Sequence, residues 1–152
     1  MNKFAVSILL VFVISISVTC GKESKDQKFA DKVLESFYIQ AKKYETKVKP
    51  LIKLENSDEN KRKFTNEWAK SIKEMVETLR KIEIEGVDLS LVKTYQKIMN
   101  TSQILISLLM VSKSSVNLDK IRLFAERLGS QQLEFELKIK NIGLKAKVSG
   151  VD

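Results

Sequence analysis

The stretch FTNEWAKSIKEMVETLRKI, Phe64 to Ile82, decides the fold class. Its apolar side chains Phe64, Trp68, Ile72, Met75, Leu79 and Ile82 recur at steps of four and three, which lays them in one stripe along a helix, as in a bundle or coiled-coil seam. A half-buried strand would alternate at every second residue instead. Just upstream, LENSDENKRK (Leu54 to Lys63) is a polar connection. There Ser57 is placed to cap the helix, and Asp58 and Glu59 complement its positive end. Gly86 is expected to end it.

The same spacing continues outward in both directions. Phe29, Val33, Phe37, Ala41, Tyr44, Val48 and Leu51 form the stripe of a preceding helix, with Pro50 as its expected end. Downstream, Asp88 or Ser90 caps a third helix whose inward positions include Leu91, Tyr95, Ile98, Ser102, Leu105 and Leu109. Its second half, ILISLLMV (Ile104 to Val111), is apolar at almost every position and is expected to be buried on most sides. Lengthening that run to the ~20 residues of a membrane span takes in Lys93 or Lys97, which argues against a crossing. After a turn at SKSSVN, Ser112 to Asn117, a fourth helix carries Leu118, Ile121, Phe124, Leu128, Phe135, Ile139 and Ile142. Gly129 predicts a kink or short break in it, and the tail from Gly143 is expected to fray. Short connections between long helices predict an all-α protein, an antiparallel four-helix bundle running up-down-up-down. A three-helix body with the first helix detached is the alternative; that helix's own apolar stripe argues against it.

Composition agrees with one globular domain: 43% of the 152 residues are hydrophobic and 30% charged. One Pro and five Gly leave an all-β fold without its turns. The chain has no His and a single Cys. Di-iron bundle sites built on Glu-x-x-His and haem attachment through Cys-x-x-Cys-His therefore cannot be written. Glu74/Glu77, Glu83/Glu85 and Glu134/Glu136 are interleaved with Lys and lack a calcium-binding loop, so they read as solvated helix faces. Ser90-Leu91-Val92-Lys93 matches the Ser-x-x-Lys pattern of penicillin-interacting enzymes without its companion motifs; Ser90 is better explained as a helix start. No cofactor, no metal and no enzymatic activity are expected.

The single Cys has a particular setting. Asn2 and Lys3 precede an uncharged apolar run, Phe4 to Val18, and Cys20 is followed by the polar segment Gly21 to Lys28. The run suits a secretory leader and is short for a span of ~20 residues. Ser17-Val18-Thr19-Cys20 resembles the leader box of bacterial lipoproteins, with Ser17 where Leu is usual and Thr19 where Gly or Ala is usual. The Lys-rich helical body is similar to that of small spirochaetal surface lipoproteins. The resemblance covers about the first 20 residues. It implies removal of the leader, a diacylglycerol thioether on Cys20, and attachment to the bacterial cell envelope, at the outer membrane on its surface or periplasmic face. Gly21 after the Cys implies no inner-membrane retention. The expected organisation is a signal peptide at 1–19, lipidated Cys20 with a flexible tether to 28, the bundle at 29–146 and a frayed tail at 147–152.

The net charge of +8 gathers in two places. Lys42, Lys43, Lys47, Lys49 and Lys53 stand against one acid between Ala41 and Lys53, and Lys138, Lys140, Lys145 and Lys147 gather near the end. Both are candidates for contact with anionic headgroups or polysaccharide, and both also serve plain solubility. Trp68 and the apolar excess of the third helix are candidates for a recognition patch. The reading that follows is a lipid-anchored, adhesin-like interaction protein. Its partners are the membrane through the anchor, envelope or host proteins and anionic polysaccharide, with nucleic acid excluded by export and the oligomeric state left open. The alternative is a periplasmic accessory or chaperone-like factor that binds envelope proteins or an apolar ligand.

Overall fold

A computed structural model describes residues 24–53, 57–111 and 116–145. The first helix, α1, spans Lys25–Lys43 and starts where its capping chemistry dictates: the Ser24 hydroxyl accepts from the Gln27 amide at 3.0 Å, with Asp26 in the first turn. Helix therefore begins four residues before the expected boundary. Residues 25–28 belong to the bundle and not to a tether, because Gln27 and Phe29 are already buried against the rest of the fold.

Pro50 does not stop the chain's helical path as expected. It changes the ladder: α1 widens into a π-helical turn, Tyr44–Val48, then tightens into a 3₁₀ segment, Lys49–Lys53. Proline has no amide to offer the carbonyl four residues back and its ring crowds it. The α register is given up just before it, and the Lys49 amide reaches back to the Tyr44 carbonyl. The wider turn leaves Val48 fully buried.

The second helix, α2, covers Asp58–Leu79, with the Ser57 hydroxyl accepting from the Asn60 amide at 3.2 Å as expected. Its end lies seven residues before Gly86. The Leu79 carbonyl, an orphan at a helix terminus, accepts a buried 2.7 Å hydrogen bond from the Tyr95 hydroxyl. The Lys81 amide turns back to Thr78 and the Ile82 amide to Leu79, tightening the last turn. Gly86 instead forms the following loop at φ +72°.

Of the two candidate caps for the third helix, Asp88 is the one used. Its carboxylate accepts from the Ser90 and Leu91 amides at 2.8 and 3.3 Å, and α3 spans Leu89–Val111. All six inward positions expected on α3 are buried. Its apolar second half is not buried on most sides, however: Ile104, Met110 and Val111 are exposed. Leu105 and Leu109 enter the core and Ile106 and Leu108 pack half-buried against it, because α3 has neighbours on part of its circumference alone.

The last helix, α4, runs unbroken from Val116 to Asn141, through Gly129. The expected kink or break is absent because the packing of Ile121, Ala125, Leu128 and Phe135 on either side holds the helix together. Leu118 and Ile142, expected inward, are exposed. Gly143, at φ +76°, closes α4 with paired bonds, its amide to Lys140 and the Leu144 amide to Ile139. This is the Schellman arrangement, and Leu144 packs on the core. Residues 143–145 are thus ordered rather than frayed.

Contacts at the ends fix the topology. Lys25 reaches the Glu85 carbonyl while Lys43 pairs with Glu74; Tyr95 meets Leu79, Thr94 meets Glu134, and Gln27 meets Lys145. Each helix is antiparallel to the next, and α1 to α4, giving the expected up-down-up-down four-helix bundle. The first helix is integral to it. Phe29 and Phe37 both set their edges against Phe135 at 6.0 Å, and Phe29 meets Tyr95 at 5.4 Å.

Candidate functional site

Cys20 and the leader lie outside the described residues. What the structure adds is the location of the chain's entry: α1 starts at the end of the bundle that also holds the α2–α3 loop and the close of α4. Three contacts lock that end. The Asp88 amide donates to the Asp26 carboxylate at 2.7 Å, the Lys145 amide donates to the Gln27 side-chain oxygen at 3.1 Å, and the Gln27 side-chain nitrogen Nε2 donates to the Lys145 carbonyl.

The two lysine groups fall at opposite ends. Lys138, Lys140 and Lys145 belong to the entry end. The Lys138 ammonium is engaged with Glu134 at 3.0 Å and with the Thr94 hydroxyl at 2.7 Å, which holds the Glu134 carboxyl below its ordinary range. Lys140 and Lys145 are exposed. At the far end Lys43 pairs with Glu74 at 2.5 Å and Lys49 with Glu45 at 2.7 Å, while Lys42 and Lys47 are exposed. The Lys53 side chain and Lys147 lie outside the described residues. Lys43 and Lys49 of the first group and Lys138 of the second are thus committed to internal ion pairs.

The far end also places Trp68, a candidate from the sequence, in a grouping that sequence reasoning missed. Beside the π turn, Tyr44 packs on Trp68 at 5.7 Å and Phe64 on Trp68 at 5.5 Å, an aromatic trio that is half-buried throughout. Burial pushes the Tyr44 phenol up. Adjacent to it, Ser36, Gln40 and Lys43 of α1 face Ser71, Glu74 and Thr78 of α2 across a cleft of about 30 Å³. The Ser71 hydroxyl there is buried with no hydrogen-bond partner among the described residues. That volume holds a water molecule or two, whereas small-molecule sites run from about 300 Å³ upward. The sequence signals for this region are Trp68, a candidate there for a recognition patch, and Pro50 falling within a lysine-rich helical pattern.

The remaining candidates are placed plainly. The Ser90 hydroxyl donates to the capping carboxylate of Asp88 at 2.5 Å, which holds that carboxyl down, and Lys93 is exposed. Glu136 is half-buried and burial raises its carboxyl. Among the described residues no three His, Cys, Asp or Glu side chains converge as metal ligands, and no helix is long and apolar enough to cross a membrane. Compared with known protein families, curated proteins and solved structures, the chain finds no match.

Proposed function

We propose that the protein is a lipid-anchored interaction module of the bacterial cell envelope, adhesin-like and without catalytic activity. The observation that carries this reading is the place of the single Cys. Cys20 ends an uncharged apolar run and stands four residues before Ser24, whose hydroxyl starts the first helix. An acylated Cys20 would therefore join a folded body to lipid almost directly. Two or more acyl chains convert marginal membrane binding into stable anchoring, at ~0.8 kcal/mol per buried methylene. Support for the interaction role comes from the far end, where Trp68, Tyr44 and Phe64 form a half-buried aromatic cluster, side chains of the types enriched at protein interfaces.

Detergent phase partitioning tests the anchor. The wild-type chain is expected in the detergent phase and Cys20→Ala in the aqueous phase, and co-partitioning of the two defeats the reading. Protease treatment of intact cells then separates a surface module, which is removed, from a periplasmic accessory factor, which survives.

A further inference from the structure

We infer that the entry end of the bundle is a membrane-apposed face that seats on anionic lipid headgroups. The inference rests on the anchor reading above. Its physical starting point is reach. From Cys20 to Ser24 the chain spans at most about 14 Å fully extended, against roughly 39 Å for the 26 residues of α4. The first turn of α1 is no flexible extension of that tether, because Asp26 and Gln27 bind it to Asp88 and Lys145. A chain anchored at Cys20 is thus held with this end nearest the lipid.

The composition of the end matches such a surface. Lys25, Lys28, Arg80, Lys81, Lys140 and Lys145 are exposed there, against exposed Glu77, Glu83, Glu85 and Asp88. Asp26 accepts from the Asp88 amide and Asp88 caps α3, so these two carboxylates are held in place by the fold while cations stay in excess over exposed acids. Among these charges stand the exposed apolar side chains Ile84, Leu89 and Ile142, at 41%, 64% and 41% exposure. They come from the α2–α3 loop, the start of α3 and the close of α4, so no single helix's packing accounts for them. Lysines with interspersed apolar side chains are what a headgroup interface accommodates, each Lys near an anionic surface contributing about 1 kcal/mol. The far end carries lysines too, so charge does not choose between the ends. The chain's entry point does. Seated this way, the bundle presents Trp68, Tyr44 and the π turn away from the bilayer.

The test is a lysine-acetylation footprint, read by mass spectrometry, of the lipid-carrying chain in vesicles of mixed phosphatidylglycerol and phosphatidylcholine. Relative to detergent, Lys81, Lys140 and Lys145 are expected to label about fivefold more slowly, the factor that ~1 kcal/mol per lysine implies, while Lys42 and Lys47 keep their rates. The protection is expected to fall away on pure phosphatidylcholine and, read at the remaining Lys145, in the variant Lys81→Glu/Lys140→Glu. Equal labelling at both ends, protection of the far end, or protection indifferent to lipid charge overturns the inference. If the mass of the chain shows Cys20 unmodified, the anchor reading fails by itself. Coupling the same chain through that sole thiol to a maleimide lipid still decides which end seats on the vesicle.

Discussion

At the scale of single residues, a few polar atoms decide where the elements stop. The Tyr95 hydroxyl takes the last carbonyl of α2 inside the core. Tyr95→Phe removes that bond, leaving the carbonyl with the Ile82 amide alone, and is expected to cost about 1 kcal/mol in urea unfolding, with the helical circular dichroism signal retained. Charge works in both directions here. Hydrogen bonds from Lys43 and Lys138 hold the Glu74 and Glu134 carboxyls below their usual value. A carboxyl lowered by folding adds stability above its unfolded pKa and loses it as the pH falls through its folded one. Burial raises Glu136, so its charged form opposes folding above the folded pKa and ceases to do so below the unfolded one. At neutral pH, Glu136→Gln is therefore expected to raise the urea midpoint and Glu74→Gln to lower it, the latter by no more than about 1 kcal/mol for so exposed a pair. Well below the carboxylate range both effects should vanish. Opposite signs for either variant contradict these assignments.

At the scale of elements, glycine separates into two kinds that the sequence does not distinguish. Gly86 and Gly143 take positive φ in a loop and a helix close, whereas Gly129 is an ordinary helical residue with open space where a Cβ would stand. Gly129→Ala is expected to raise stability by about 1 kcal/mol, the helix-propensity difference. Gly86→Ala is expected to lower stability by about as much or more, since the left-handed backbone is strained for any Cβ and the Lys25 side chain crowds the position at 3.1 Å. Chemical denaturation of the two variants compares them directly. Helix identities, the Ser57 cap and every inward position chosen on α3 were legible in the sequence, because spacing and capping are local properties. The end of α2 was not legible, since a hydroxyl 16 residues downstream sets it. Nor was the exposure of Ile104, Met110 and Val111: an apolar run shows that burial is favourable and cannot show how many neighbours the fold provides.

At the scale of the whole molecule, the bundle is a polarised object. One end receives the chain from Cys20 and is clasped by Asp26, Gln27, Asp88 and Lys145; the other carries the π turn and the aromatic trio. The lysine groups were legible in the sequence as clusters, but their division between the ends, and the engagement of Lys43, Lys49 and Lys138 in ion pairs, depend on helices that meet only in the folded state. On the proposed reading, a lipid on Cys20 would fix which end of the bundle faces away from the membrane. The mass of the mature protein, recovered from detergent-solubilised membranes of its native cell, tests this most directly. The account predicts residues 20–152 plus diacylglycerol and, where the amine is acylated, a third chain, with the addition lost in Cys20→Ala. An unmodified chain in the soluble fraction would contradict it.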